Sequence, residues 1–258
     1  MSTPDTSALA QEIFDTYERG TTIEPPSARF ENFDVNAAYA VEAEFARLRG
    51  HARSGLKVGY ANKAMWRVLK LETLVWARMY DDTVHQAGEF KLPYYRSPKI
   101  EPEIVFKLKN DATGTYDAET ILRQVEWLAI GFEIIDCPFP TWDFKPADFI
   151  ASFGLHLGLI VGEPFMMDEA SIPSLATALA QFKVRLSKNG AFIEEGAAKN
   201  SLRSPALCLA ELASRTPLKE GELVSSGTLT AGQPIEKGDV WNVEVEGLPL
   251  KPLSVTFA

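Results

Sequence analysis

Apolar residues recur at helical spacing near the start of the chain. Leu9, Ile13, Phe14 and Tyr17 share one face of a first helix, and Ala38, Val41, Phe45 and Leu48 form the stripe of a second. Asp34 stands at an N-cap position and Gly50 where the second helix should stop. A short strand-like piece within SGLKVGYANKAMWRVL leads into another helix. The pattern stays mostly helical to about residue 90, and the Pro-containing KLPYYRSPK closes it. Beyond residue 98 the period changes. In KIEPEIVFKLK, Ile100, Ile104, Phe106 and Leu108 fall on one side, and Glu101, Glu103, Val105 and Lys107 on the other, as in a strand. A helix is expected near 118–130, with GFEIID and LHLGLIVG as buried strands. KVRLSKNGAFIEEG reads as a hairpin turning at Asn189-Gly190, and Ser204-Pro205 opens a further helix. The tail, with EKGDVWNVEVEG and LSVTF, is strand again. This order predicts an α+β fold: a small, mainly helical part over residues 1–90, then a β-rich catalytic domain over 91–258.

Composition narrows the function. The chain has 258 residues, 46% hydrophobic and 24% charged, with a formal net charge of −9. Nucleic acid is an unexpected partner, because phosphate binding needs a surplus of Lys and Arg. An anionic small molecule stays possible if cations gather locally. Two distant cysteines, Cys137 and Cys208, exclude a disulfide framework and argue against zinc. The first residues lack the basic start and apolar core of a signal peptide, and no apolar run approaches the ~20 residues of a membrane span. A cytoplasmic location without membrane attachment is expected.

The chemistry gathers on acids. Glu101-Pro-Glu103 puts two carboxylates on one side of a strand, about 6.5–7 Å apart along the backbone. They can lean toward one cation; taken alone, the pair also fits a solvated strand face. Glu133 lies between Phe132 and Ile134, where a carboxylate needs compensation from an ion or from an Arg or Lys elsewhere in the chain. Three carboxylates without His or Cys make an all-oxygen donor set, suited to Mg²⁺ or Mn²⁺ rather than Zn²⁺. Lys57, in a Leu-Lys-Val run, either meets an anion or snorkels to the surface. His51, His85 and His156 are scattered, and His156 reads as a satisfied core residue. Neither a hydrolase triad nor a nucleotide fingerprint is present.

SGLKVGYANKA, KIEPEIVFKLK, GFEIIDC, LVSSGTLT and KGDVWNVEVEGLPLKPLSVTF occur in the order and spacing of a known group. The chain resembles the 2-keto-4-pentenoate hydratase / 2-oxo-3-hexenedioate decarboxylase family, within the fumarylacetoacetate hydrolase superfamily. The resemblance implies a mixed β-roll core, Mg²⁺ or Mn²⁺ as cofactor and a homo-oligomer. By position it implies Glu101, Glu103 and Glu133 as metal ligands, Lys57 as the catalytic lysine, and Ser226 and Thr228 as substrate-binding residues. The activity implied is addition of water to a 2-hydroxy-2,4-dienoate to give a 4-hydroxy-2-oxo acid, in aromatic-compound catabolism. The alternatives are decarboxylation of a 2-oxo-3-hexenedioate-type acid, or a catalytically silent metal-binding partner subunit.

The chain also departs from the family pattern. Leu74 stands where the family has an Asp, Ser152-Phe153 replaces Asp-Asn, and Leu207 and Glu211 replace Asn and Trp. If Leu74, Phe153 and Leu207 line the pocket, the substrate should have an apolar distal end. The alternative is that they repack the wall behind it.

Overall fold

The computed structural model describes residues 4–94 and 96–258. Its helices are α1 (Thr6–Arg19), α2 (Pro26–Arg29), α3 (Val35–Arg49), α4 (Trp66–Leu69), α5 (Ala118–Leu122), α6 (Pro146–Ala151), α7 (Ile172–Ala178) and α8 (Pro205–Arg215). The strands are β1 (Arg53–Gly59), β2 (Val75–Tyr80), β3 (Val84–Gln86), β4 (Gly88–Phe90), β5 (Lys99–Leu108), β6 (Val125–Ile135) and β7 (His156–Val161), followed by β8 (Phe165–Met166), β9 (Lys183–Lys188), β10 (Ala191–Ala197), β11 (Leu223–Ser225), β12 (Gln233–Pro234), β13 (Val240–Glu246) and β14 (Leu253–Phe257). The larger sheet runs β2-β1-β11-β5-β6-β7-β3, with β12 added to β5 and β8 to β6. The smaller runs β10-β9-β13-β14-β4. The α+β class and the curled mixed sheet agree with expectation.

Local chemistry explains most of the ends. Asp34 accepts from Ala37 N–H at the start of α3, and Gly50 closes that helix in the left-handed region. Leu9, Ile13 and Tyr17 of α1 bury against Ala38, Val41 and Phe45 of α3. That helical layer continues onto Phe149, Ile150 and Phe153, and the Tyr17 hydroxyl donates to Ser152 O at 2.8 Å. Ile100, Ile104, Phe106 and Leu108 point into the main core, as their alternation predicts. The hairpin at Asn189-Gly190 is present between β9 and β10. Ser204 does precede α8, with Pro205 at its first position, but its side chain makes no capping bond.

Two readings need correction. The strand-like piece in SGLKVGYANKAMWRVL is β1, but three further strands, β2 to β4, lie in the stretch expected to be helical, and β1 to β4 belong to the two sheets, so strands of both sheets lie on either side of residue 90. The helix expected near 118–130 ends at Leu122. Val125–Ile135 is one long strand whose apolar run is covered on both faces, a pattern that periodicity cannot separate from a buried helix. Among the described residues, no helix is long and apolar enough to cross a membrane.

Candidate active site

Five neighbouring strands, β1, β11, β5, β6 and β7, each place a polar side chain in one small region of the larger sheet. β5 carries Glu101 and Glu103 on one face, and the antiparallel register sets Glu133 of β6 directly opposite Glu101. One carboxylate oxygen from each of the three lies within 4.8 Å of the others. Like charges so placed oppose pairing of the strands, so other groups must hold them there.

Glu103 is held from β11. Its Oε2 accepts from Ser225 Oγ at 2.6 Å and from the Gly227 N–H at 2.8 Å. Gly227 has φ +86°, and a Cβ there would come within 2.7 Å of the Ala61 side chain, so the turn that aims its N–H at Glu103 requires glycine. Glu133 is held from β1 and β7. Its Oε1 accepts from Lys57 Nζ at 2.8 Å and lies 2.8 Å from His156 Nδ1. Its Oε2 is buried and has no hydrogen-bond partner.

Lys57 is 2% exposed and also donates to Gly154 O at 3.0 Å, with the Phe149 ring centroid 5.0 Å from the ammonium. Two of its three N–H donors are thus used, and one is left. Burial holds the fully buried His156 below the ordinary histidine range, although Glu133 pulls the other way, so the ring is neutral near pH 7. Nδ1–H of the neutral ring donates to Glu133, and Thr83 Oγ1, which accepts from Tyr80 N–H at 3.2 Å, lies 3.0 Å from both Nε2 and Tyr80 O, so its single proton serves one of the two.

The three carboxyls differ electrically. Burial lifts Glu101 to about 7, with Lys57 opposing and Glu133 reinforcing the rise. Burial and the other two carboxylates push Glu103 well above the usual range. Burial also acts to raise Glu133, but Lys57 and His156 outweigh it and hold this carboxyl below that range. A cavity of about 420 Å³ opens beside Glu101 and Lys57, bounded by Tyr60, Met65, Trp142, Phe144 and Phe149, with Asn62, Asn200 and Thr228 as polar contributors.

Residues 43–251 match the family described as fumarylacetoacetate (FAA) hydrolase C-terminal. The chain belongs to this family. Within it, the chain is 27% identical over 250 residues to the 2-hydroxyhexa-2,4-dienoate hydratase of Comamonas testosteroni, covering 92% of both. It is 29% identical over 214 residues to a 4-oxalocrotonate decarboxylase of a Pseudomonas species, covering 81% of this chain and 80% of that protein. The solved 4-oxalocrotonate decarboxylase from Pseudomonas putida G7, complexed with magnesium and adipate, superposes with a TM-score of 0.89 at 24% identity, over 100% of this chain and 99% of that one. This last likeness is one of fold.

Against that fumarylacetoacetate hydrolase frame, Glu101, Glu103, Glu133 and Lys57 come together as anticipated. The compensating cation that Glu133 needed is Lys57 itself. Thr228 lines the cavity, its hydroxyl donating to Thr230 O at 2.9 Å. Ser226 does not line it; the hydroxyl that reaches the carboxylates belongs to Ser225, one residue earlier. Alternation along β11 turns the two serines to opposite faces, and no spacing in SSGT says which one faces β5. His156 is satisfied, as expected, yet its partner is Glu133. Leu74, Phe153 and Leu207 do not line the cavity. Leu74 is in the main core, and Phe153 stacks on Phe45 at 5.1 Å in the helical layer. The wall is apolar through Trp142, Phe144 and Phe149, which the sequence reading missed.

Proposed function

We propose that this chain is a divalent-metal-dependent hydratase that adds water to a 2-hydroxy-2,4-dienoate to give a 4-hydroxy-2-oxo acid, in the breakdown of aromatic compounds. The observation that carries the reading is the unpartnered Oε2 of Glu133, buried in a cluster with Glu103 and with Glu101, which lines the cavity. A buried carboxylate oxygen without a donor is costly unless a cation faces it. Three carboxylates against one ammonium leave two formal negative charges around a neutral His156, the charge that one divalent ion balances. The donor set is all oxygen, as Mg²⁺ or Mn²⁺ prefers. Glu101, Glu103 and Glu133 would hold it. When bound, such an ion supplies positive charge against the 2-oxo group and the neighbouring carboxylate of the substrate.

The chain's own residues supply the rest. Lys57 is fixed by Glu133 and Gly154 and keeps one N–H for the cavity, so it can hold the substrate's anionic end or pass a proton to the reacting carbon chain. His156 fixes the orientation of Glu133 from behind, and Thr83 fixes His156. Ser225 and Gly227 do the same for Glu103. Thr228, at the cavity wall, would donate to a carboxylate oxygen by exchanging its bond to Thr230 O. Phe144, Phe149 and Trp142 exclude water from the far side of the acid, leaving the polar edge near Asn62 and Asn200 for the water that adds.

Hydration is favoured over decarboxylation of a dicarboxylic acid because, among the described residues, Lys57 is the only cation lining the cavity. Decay of the dienoate absorbance, with purified protein and 2-hydroxypenta-2,4-dienoate in Mg²⁺, tests the reading. No turnover with Mg²⁺ or Mn²⁺, where a known hydratase is active, would overturn it.

A further inference from the structure

Trp142 separates the cavity from a lysine that could otherwise serve it. Lys99 precedes Glu101 by two residues on β5 and so shares its strand face, about 6.5–7 Å away along the backbone. Its stem passes beside Glu101 above Gly232, where an added Cβ would come within 2.9 Å of Glu101 Oε1 and 3.4 Å of Lys99 Cδ. Yet Lys99 does not line the cavity. Its Nζ sits 3.7 Å from the Trp142 ring centroid, and it lines a second concavity of about 520 Å³ with Arg96, Pro234 and Lys237. Trp142 is the one described residue common to both hollows. Its indole is anchored, Nε1 donating to Ser97 Oγ at 3.1 Å. Lys99 has no carboxylate within ion-pair distance among the described residues; its ammonium lies on the indole face and acts on Glu101 only at longer range.

We propose that Trp142 is a specificity-determining residue: it screens Lys99 from the cavity, so that 2-oxo acids with an alkyl or aryl distal end are taken and those with a second carboxylate are rejected. The inference rests on the 2-oxo-acid reading above. Size agrees with it. At roughly 30 Å³ for each water-sized group, the cavity holds about 14 of them, against about eight heavy atoms in a five-carbon dienoate. The remaining space faces Tyr60, Met65, Phe144 and Phe149, where methylenes or a ring gain by burial and a carboxylate finds no cation.

The test is calorimetry of the Mg²⁺-loaded protein with 2-oxohexanoate and 2-oxoadipate, acids of equal length that differ in the terminal carboxylate. Wild type should bind 2-oxohexanoate at least ~10²-fold more tightly, the scale of a buried charge without a partner. Trp142→Ala should cut that ratio at least ~10-fold by exposing Lys99. Trp142→Phe should keep it, and Lys99→Met in the Trp142→Ala background should restore it. Equal affinities in wild type, or an unchanged ratio in Trp142→Ala, would overturn the screening role. Binding of Mg²⁺ but of neither acid would overturn the 2-oxo-acid reading and this inference with it. Selective binding without turnover of any dienoate would sink hydration and still support the screen.

Discussion

Lys57→Met is the sharpest perturbation of the site. Methionine keeps the unbranched stem against Phe149 and Gly154 and removes only the charge. In wild type, a 2% exposed ammonium meets a fully buried carboxylate at 2.8 Å, with two further carboxylates within 4.8 Å of that carboxylate. Removing one partner of a buried ion pair costs about 3–5 kcal/mol, because the other charge is left uncompensated. Burial still holds the His156 ring down in the variant, but the opposing Lys57 charge is gone and Glu133 pulls upward, so any proton that His156 takes up offsets part of this cost. For a chain of 258 residues, unfolding entropy near 2.1 cal/mol/K per residue converts that cost into roughly 5–9 °C of Tm. The loss should be largest in EDTA at pH 8 and smaller in Mg²⁺, where an ion supplies positive charge. It should shrink toward pH 5, where Glu133 of the variant escapes by taking up a proton. Turnover of a dienoate should fall at least ~10²-fold, the usual scale for a lost proton-transfer group. Scanning calorimetry with and without EDTA, and initial rates in saturating Mg²⁺, read the two effects separately. An unchanged Tm in EDTA would show that the pair contributes nothing net. An unchanged rate on a substrate that wild type turns over would remove Lys57 from the reaction.

Three further outcomes follow from the same geometry. Gln at Glu101, Glu103 or Glu133 should weaken Mg²⁺ binding in calorimetry by at least ~10-fold each, the lower end of what lost metal-site partners cost, while circular dichroism stays native; wild-type affinity in all three would end the ligand assignment. The Mg²⁺-induced rise in Tm should grow from pH 5 through about 7. Burial holds Glu101 at about 7 and Glu103 well above the unfolded value of 4.5, so their protonated forms stabilise the metal-free fold at low pH, and the Glu101 share of that contribution is lost as pH rises through about 7; a rise independent of pH would refute the assignment. Arg96→Met should cost about 3–5 kcal/mol far from the carboxylates, because it strands Asp136, a fully buried partner at 2.5 Å that also accepts from Ser97 N–H; urea titration giving under ~1 kcal/mol would contradict this.

What could be read from the sequence was what depends on period or on a misplaced charge. β5 declared itself by strict alternation, and α1 and α3 by their stripes and end residues. Glu133 and Lys57 stood out because each interrupts an apolar run. Of the strands before residue 90, Arg53–Gly59 showed as a strand-like piece, whereas Val75–Tyr80 did not, although its burial alternates over the first five residues; six residues are too few for the period to stand out beside the helical pattern around them. β6 was misjudged at its start, where Val125, Glu126 and Trp127 continue the pattern of the preceding helix.

The rest of the site depends on strand order, which local pattern does not carry. Lys57 reaches Glu133 only because β1, β11, β5 and β6 lie side by side, although they are scattered from residue 53 to residue 225 along the chain. Ser225 is opposite Lys57 in one register and opposite Val105 in the other, so its hydroxyl arrives beside Glu103 through two pairings at once. Leu74, Phe153 and Leu207 teach the converse. Three polar-to-apolar changes at family positions suggest an apolar pocket, but those residues sit in the core, in the helical layer and on α8, and they repack what lies around the site. The apolar wall exists and is made by the segment after β6, whose Trp142 and Phe144 carry no period at all. A residue's place in a pocket is therefore set by which strands neighbour each other. That is why the carboxylate cluster, fixed by register across β5 and β6, could be anticipated, while the aromatic wall of the adjoining cavity could not.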